Sequence, residues 1–381
     1  MTTAVYPGLA PCWSALAAGG PLLASPGWLA AMAGRLGPVP LTLTVAVAGE
    51  VRLAALASVQ AVPAPGEFFD PYHLMVGPAP ALPLTAAARA ARAALAASAP
   101  GPDRFTPALV VMLPGYECVP VGPGAQRPEL LDALVRQALR YGREHRLATV
   151  AFLYLRPEQR ALAGALRRHD FVPVPLSLTW DLPVPPGGLA GYLAGRPRHR
   201  RQEARRELAR LRAAGVSLDL PDPDDLTAAT LSTMVTLRCA LVRRYRGHAD
   251  PAQQAARLAG LVRDVAGGRP RVVLATAGTD VLGFALFAPY REHWHCLAVG
   301  YDYADPRSRL AYFGTAYYAP LDPAAAAGVG WLGYGQGSAA AKRARGCTGT
   351  PLTGWVHCAD PELAATVRAA AAVTALEPGA G

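Results

Sequence analysis

The sequence predicts an α/β protein made of two similar domains, and three observations lead to that prediction. Segments with helical periodicity alternate with β-rich segments through the first half of the chain. Residues 183–188, Pro-Val-Pro-Pro-Gly-Gly, have the composition of a linker. A hairpin pattern with a glycine and an acid in its turn occurs on each side of this linker, at 41–59 and 271–287. We therefore expect one domain over residues 1–182 and a second over 183–381, related by an internal repeat.

Both periodicities are clear in the first half. The β-rich segments are 41–48, 51–59, 108–113, 149–155 and 176–180, and the helical segments are 84–98, 128–145 and 157–168. Alternation of this kind is typical of a sheet with helices packed on its faces.

The second half begins with the most strongly charged segment of the chain, residues 196–215. Ala204, Leu208 and Leu211 recur at helical spacing and predict a helix with a narrow apolar stripe that ends at Gly215. Its basic residues are Arg196, Arg198, Arg200, Arg201, Arg205, Arg206, Arg210 and Arg212.

Only two acids oppose this charge. Glu203 and Glu207 are spaced to pair with Arg206 and Arg210, three residues further on, which leaves most of the arginines uncompensated. A solvated helix face is one interpretation of this segment. The other is a surface for phosphate groups of a nucleotide, a coenzyme or a tRNA backbone.

The composition restricts the class of protein. A chain of 381 residues with 52% hydrophobic and 17% charged residues is globular rather than disordered, and its net charge of +10 favours anionic partners. The six cysteines contain no C-x-x-C pair, which argues against a zinc site or a disulfide framework and fits a reducing cytoplasm. Neither a signal peptide nor an apolar segment long enough to span a membrane is expected.

The C-terminal part holds the most unusual residues. Residues 311–322 are rich in aromatic side chains, and residues 331–338, Trp-Leu-Gly-Tyr-Gly-Gln-Gly-Ser, form a glycine-rich turn. Free N–H groups in such a turn can bind an oxyanion or a phosphate, although a purely structural glycine turn is the default interpretation. Lys342, the only lysine of the chain, and Arg345 follow a few residues later.

The order of these motifs resembles the FemAB-like proteins of peptidoglycan biosynthesis or recognition type, within the Gcn5-related N-acyltransferase superfamily. The arginine-rich helix ending in Gly215, the pair Tyr317-Tyr318, the Gly335-Gln336-Gly337 turn, Lys342 and Arg345-Gly346 are similar to motifs of that group. The resemblance covers residues 190–375 well and the first half by layout alone. It departs at Gly333 or Tyr334, where relatives often have an acid, and at Ala341, where many have histidine.

The resemblance implies two tandem Gcn5-like domains with mixed sheets flanked by helices, and transfer of an acyl or aminoacyl group to an amine. Fem-type proteins take the aminoacyl group from charged tRNA, so the donor expected here is aminoacyl-tRNA, without a bound cofactor or metal, and the acceptor is a small-molecule or peptide amine. An acyl-CoA thioester is the alternative donor, although no R-x-x-G-x-G loop is present. A non-catalytic module that binds RNA or an anionic precursor is a third alternative.

Candidate site residues follow from the motifs and from this resemblance. Lys342 is the candidate for contact with an oxyanion or phosphate, unless it is a surface lysine after a turn. We expect its ammonium at the mouth of a cleft between the domains, near the Gly335–Gly337 turn and one of the two tyrosines, with little effect on stability. Asp302, at the end of a predicted strand, is the candidate that orients the amine, unless it is a turn residue. The expected substrate-binding residues are Tyr301, Tyr317, Tyr318, Gly335, Gln336, Gly337 and Arg345, and the expected phosphate-binding residues are Arg198, Arg200, Arg201 and Arg205. Two further histidines, His293 and His295, are better interpreted as partly buried structural residues than as bases.

Overall fold

The computed structural model describes residues 1–33, 40–64, 67–77, 82–265 and 269–374. The chain divides into two compact units. The first runs from Met1 to Thr179 and resumes at Gly349, and the second is Trp180–Thr348.

The strands are numbered in chain order. They are β1 (Thr2–Pro7), β2 (Pro40–Val47), β3 (Glu50–Gln60), β4 (Ala108–Val111), β5 (Thr149–Leu155), β6 (Val172–Pro183), β7 (Ser217–Asp219), β8 (Arg271–Ala277), β9 (Asp280–Tyr290), β10 (His293–Tyr301), β11 (Trp331–Gly335) and β12 (Thr348–Cys358). Both hairpins that the sequence predicts are present, as β2–β3 and β8–β9.

The helices are numbered in the same way. They are α1 (Trp13–Ala17), α2 (Pro26–Ala31), α3 (Pro71–Met75), α4 (Ala86–Ser98), α5 (Pro128–Glu144), α6 (Arg160–Arg168), α7 (Gly188–Gly195), α8 (Arg198–Ala213), α9 (Ala228–Arg246), α10 (Pro251–Asp264), α11 (Ser308–Phe313), α12 (Leu321–Ala326), α13 (Ala339–Ala344) and α14 (Pro361–Ala372). The predicted basic helix is α8.

Each unit contains the same arrangement of six strands. In the first unit the order is β1-β2-β3-β4-β5-β12, and all neighbours are antiparallel except β4 and β5. In the second unit the order is β7-β8-β9-β10-β11-β6, and all neighbours are antiparallel except β10 and β11. The predicted α/β class with mixed sheets is therefore confirmed, and the repeat is visible in the strand directions.

The sixth strand of each unit comes from a distant part of the chain. Strand β12, near the C-terminus, pairs with β5 of the first unit, while the end of β6 pairs with β11 of the second. The units differ from the predicted ranges 1–182 and 183–381 at two places. Residues 349–374 belong to the first unit, and residues 180–182 belong to the second. Composition reveals a linker such as 183–188, but it does not reveal which strand a later segment will pair with.

The core of the first unit lies between its sheet and two helices. Apolar residues of β2, β3, β4 and β5 pack against the buried faces of α5 and α6, and Phe152 and Phe171 meet edge to face with ring centroids 5.6 Å apart. Helix α5 has the periodicity for this contact because Leu130, Leu131 and Leu134 lie on one stripe.

In the second unit, α8 and α11 contribute to an apolar cluster over the sheet. Leu211 of α8 and Ala311 of α11 pack with Ala275, Leu282 and Tyr301 of the strands. Because α8 is tied to this core by a narrow stripe, the rest of its surface remains available to solvent.

Helix α9 lies very close to β10 at Gly300. A Cβ at this position would lie 2.7 Å from the backbone N of Arg238, 2.7 Å from the backbone C of Leu237 and 2.6 Å from the Phe284 ring. These contacts are with backbone and a buried ring, which cannot move aside as the end of a flexible side chain can. The close packing of helix on strand therefore requires glycine at position 300.

We expect Gly300→Ala to destabilise the protein by about 1–3 kcal/mol, because the added methyl overpacks this contact. Gly195→Ala is the matched control, since a Cβ there has nothing within 4 Å and lies in a helix, where alanine is favoured. Denaturant unfolding of both variants measures the difference. Equal unfolding midpoints would contradict the close approach of α9 and β10.

Candidate functional site

Residues 314–318, which connect α11 to α12, form a π-helical turn that positions the predicted tyrosine pair. All five of its residues are buried. Short π-helical turns of this kind often occur at functional sites. The turn directs Tyr317 and Tyr318 toward different neighbours, so the two rings have separate roles.

Tyr317 belongs to a stack of aromatic rings. Its ring lies parallel to that of Tyr334 at 4.6 Å, and its hydroxyl is 3.2 Å from the hydroxyl of Tyr312. Tyr334 in turn donates its hydroxyl proton to the carbonyl of Ala316, at 2.6 Å, which ties β11 to the π-helical turn. Burial raises the pKa of Tyr317 far above its usual value, so this hydroxyl stays neutral.

Tyr318 instead contacts a buried carboxylate. Its hydroxyl donates to Glu207 Oε2 of α8 at 2.5 Å, and the other oxygen, Oε1, accepts from Arg345 at 2.6 Å. Burial raises the pKa of Tyr318, and so does its hydrogen bond to Glu207. The three side chains therefore form one network in which the carboxylate is satisfied by a cation and a neutral hydroxyl.

Arg345 is held from several sides. Its guanidinium carbon lies 3.8 Å from the centroid of the Phe313 ring, and a second carboxylate, that of Glu203, lies 3.6 Å from Nη1. The backbone carbonyl of Arg345 accepts a hydrogen bond from the hydroxyl of Tyr192, at 3.0 Å. The Arg345 side chain is only 5% exposed, and these contacts make it a structural link between α8, α13 and the π-helical turn.

The glycine-rich turn after β11 is held by Lys342. The ammonium donates to the carbonyl oxygens of Tyr334 at 2.9 Å, Gly335 at 3.0 Å and Gln336 at 2.8 Å. Gly335 and Gly337 both have positive φ values, of 59° and 78°, which lets three successive carbonyls converge on one cation. A short helix, α13, brings Lys342 back to the turn.

Burial lowers the pKa of Lys342 to about 8, against the smaller effects of Cys296, Cys347 and Asp181, which raise it. The three carbonyls favour the ammonium form further, because a neutral amine has only two protons to donate. At neutral pH the side chain is therefore a cation in a buried position.

This geometry changes the expected position of Lys342. The sequence suggested an ammonium near the Gly335–Gly337 turn and near one of the two tyrosines, with little effect on stability. The side chain does contact the turn, but it is 4% exposed and all three of its donors are used by carbonyls. The ammonium therefore holds the backbone of the glycine-rich turn.

Asp302 and Tyr301, adjacent in the sequence, have different surroundings. Asp302 accepts a hydrogen bond from the backbone N–H of Ala304 at 2.9 Å, which is the contact of a turn residue. Tyr301 is buried and its hydroxyl is 3.0 Å from that of Thr315, in the π-helical turn. Tyr301 therefore contacts the π-helical turn through its hydroxyl. Asp302 stabilises the turn that follows β10.

The acids of α8 do not pair as the sequence predicted. Glu207 faces inward to Arg345 and Tyr318, and Glu203 pairs with Arg200 at 2.8 Å and approaches Arg345. The expected pairs with Arg206 and Arg210 were wrong, because Glu207 pairs with the buried Arg345 and Glu203 pairs with Arg200, one turn earlier on the helix. Glu207 is the central residue that sequence reasoning missed, since its spacing alone made it look like a surface acid.

The outer face of α8 is therefore more basic than expected. Arg198, Arg205, Arg206, Arg210 and Arg212 are exposed and Arg201 is half-buried. Within the described ranges none of these six forms an ion pair. Of the four arginines predicted to bind phosphate, Arg198, Arg201 and Arg205 lie on one helix face, and Arg200 is engaged by Glu203.

The described part of the chain contains neither a cluster of metal-ligating side chains nor a helix that could span a membrane. No group of three or more His, Cys, Asp or Glu side chains there could hold a metal ion, and no helix there is both long and apolar enough to cross a membrane. All six cysteines are free thiols.

Neither the known protein-family models nor the curated protein sequences include a match to this chain. Among solved structures, FemX is similar with a TM-score of 0.55 and 12% identity over 89% of this chain and 92% of FemX. A tandem GNAT protein from the clavulanic acid pathway aligns with 94% of this chain and 99% of its own length at 14% identity, with a TM-score of 0.47. The C-terminal domain of a putative lysylphosphatidylglycerol synthetase from Agrobacterium fabrum aligns with 68% of this chain and 81% of its own length, at 12% identity and a TM-score of 0.47.

These comparisons concern the fold. The likeness to FemX extends over nearly the whole of both chains, and each unit here repeats one order of strands. The chain therefore has the FemAB-like fold that the sequence predicted.

Replacement of Lys342 tests its role in the turn. We expect Lys342→Met to lower the free energy of unfolding by about 2–4 kcal/mol, because three buried carbonyls lose a charged donor. Faster hydrogen exchange at residues 335–337 should accompany this loss. Arg206→Ala, at an exposed arginine that pairs with no acid among the described residues, is the control and should stay within about 0.5 kcal/mol of wild type. An unchanged exchange rate in Lys342→Met would contradict this role.

The two glutamates of α8 provide a matched pair. Glu207→Gln should cost about 3 kcal/mol, because it removes the close carboxylate partner of a buried guanidinium. Glu203→Gln should cost less than about 1 kcal/mol, since its side chain is 39% exposed and solvent screens its contribution. Chemical denaturation of the two variants gives the comparison, and a larger loss for Glu203→Gln would contradict the assigned network.

Proposed function

We propose that the chain is a transferase that moves an aminoacyl group from aminoacyl-tRNA to the amine of a small-molecule or peptide acceptor. The observation that supports this most is the outer face of α8. Apart from Arg200, these arginines form no ion pair with an acid in the described part of the chain, because Glu203 and Glu207 are drawn to Arg345, Arg200 and Tyr318. A row of unpaired guanidinium groups is suited to successive phosphates of a nucleic-acid backbone.

The glycine-rich turn is the second support. Lys342 holds the carbonyls of residues 334–336 together, and Ser338 also has a positive φ, of 50°. When carbonyls are fixed on one side of a turn, the neighbouring N–H groups are directed elsewhere and can bind an anion. In the proposed reaction these N–H groups stabilise the oxyanion that forms when the amine attacks the ester carbonyl.

In this proposal Lys342 is a positioning residue. It keeps the turn in the conformation that the oxyanion requires, while the network of Tyr318, Glu207 and Arg345 holds α8 beside the same segment. The arginine face and the turn then belong to one rigid part of the second unit. A fixed distance between donor-binding and reacting groups is what transfer between two substrates needs.

Charge reversal on α8 tests the donor. Arg201→Glu/Arg205→Glu should abolish tRNA binding at moderate salt, because two phosphate contacts become repulsive, while unfolding is unchanged. In the native protein, the logarithm of affinity should fall linearly with the logarithm of salt concentration. Single neutralised arginines that bind phosphate should each lower that slope by about one. Filter binding with purified tRNA measures both effects.

The matched control has the same change in charge in the first unit. Arg143→Glu/Arg146→Glu alters two exposed arginines at the end of α5 and the residues after it, and it should retain tRNA binding. Equal loss in both double variants would indicate a net-charge effect rather than a surface. Retained acyl-CoA in the purified protein, detected by mass spectrometry, together with salt-independent or absent tRNA binding, would favour the thioester donor instead.

A further inference from the structure

Three neighbouring strands of the second unit align a carboxylate, a glycine and an imidazole. Gly333 of β11 is the direct partner of His295 on β10 and of Asp181 on β6. Direct partners in a sheet carry their side chains on the same face. The three positions therefore form one row across the strands, with an empty place in the middle.

The distances at Gly333 show how close the two side chains are. A Cβ at this residue would lie 3.1 Å from Asp181 Oδ1 and 3.4 Å from His295 Nδ1. Both polar atoms thus lie within contact distance of the place that a Cβ of residue 333 would occupy. Any other residue at position 333 would place carbon between them.

The next row along the same face is aromatic. His293 is the partner of Trp331, and their rings are nearly parallel, with centroids 6.5 Å apart. The rings of His293 and His295 are also nearly parallel, at 5.7 Å. Trp331 is 37% exposed, so this strip reaches solvent. An acceptor that enters here meets an apolar ring first and the imidazole and carboxylate next.

Charged groups nearby fit this arrangement. Asp181 lies close enough to Lys342 to raise the pKa of its ammonium, against the larger effect of burial. The row is therefore next to the turn that Lys342 holds. Strand alternation places Tyr334, with its contact to Tyr317, on the opposite face from Gly333, so the imidazole is separate from the tyrosine network.

The geometry points to His295 as the general base that takes the proton from the acceptor amine, with Asp181 as the positioning residue that orients its ring. This inference rests on the proposed transfer to an amine and names the group that deprotonates the acceptor. A proton on Nδ1, the ring nitrogen beside Asp181, leaves Nε2 as the acceptor. A carboxylate behind an imidazole is the usual means of holding the ring in one tautomer.

The step balances without any further reactant. The amine nitrogen forms a bond to the ester carbonyl carbon, and its proton passes to His295 Nε2. The tetrahedral intermediate then collapses, the bond between that carbon and the ribose oxygen breaks, and the leaving oxygen takes the proton from the imidazolium. His295 is neutral again at the end, and the products are an amide and the deacylated tRNA.

Transfer of labelled aminoacyl groups from tRNA to hydroxylamine, used as a simple amine probe, tests this assignment. His295→Gly should lower the single-turnover rate about 100- to 10,000-fold, and added imidazole should restore part of it, since a free base can enter the space left. A merely structural histidine would not give rescue. His248→Gly, an exposed histidine between α9 and α10, is the control and should respond to neither change.

Variants at all three positions of the row complete the test. Asp181→Asn should lower the rate at least about tenfold without rescue by imidazole, because the ring loses its orienting carboxylate. Gly333→Ala should also lower it, by separating the two side chains. His295→Gln provides a second lesion if the glycine variant does not fold. A rate within about threefold of wild type in a folded His295 variant, or loss without rescue in His295→Gly, would overturn the inference.

Binding separates this inference from the proposed donor. His295→Gly should bind tRNA as wild type does, whereas the Arg201/Arg205 variant should not. Wild-type transfer from acyl-CoA but not from aminoacyl-tRNA, with imidazole rescue intact, would overturn the donor and support His295. No acceleration by the wild-type protein from either donor to hydroxylamine would overturn both.

Discussion

The buried carboxylate of Glu207 is the interaction on which the second unit depends most. It projects from the basic helix α8 into the core, where it accepts hydrogen bonds from the guanidinium of Arg345 and the hydroxyl of Tyr318. An unpaired charge in such a place would be costly, so each of the two buried ions requires the other. Through this one group the helix, the π-helical turn and the end of α13 are held in a single arrangement.

The same interaction determines the surface charge. Because Glu207 pairs with Arg345, and Glu203 is shared between Arg200 and Arg345, neither carboxylate neutralises the other arginines on the outside of α8. The pairing of Glu207 with a buried cation thus leaves the exposed face of α8 basic. The pairing of the buried Arg345 with Glu207 explains both how α8 is held in place and the affinity for anions that we propose.

Close approach of the backbone is the second constraint. Gly333 has no side chain, so Asp181 and His295 can approach the place that a Cβ would occupy. Gly335 and Gly337 adopt positive φ values, which allows three carbonyls to face Lys342. In both places the absence of a side chain brings polar groups together. The glycines of this segment thus allow the polar atoms of Asp181, His295 and Lys342 to come close to the backbone.

Local patterns in the sequence determined the class of fold, most of the helices and strands, the basic helix and the contact of Lys342 with the glycine-rich turn. These depend on residues a few positions apart, where periodicity and turn chemistry act directly. Only the tertiary structure decided that Glu207 is buried, since its partners Tyr318 and Arg345 are 111 and 138 positions away. Strand pairing over long sequence separations likewise decides that β12 joins the first unit and the end of β6 joins the second. It also brings Asp181 and His295 to the same glycine, because a register shift of one residue would turn each side chain to the other face.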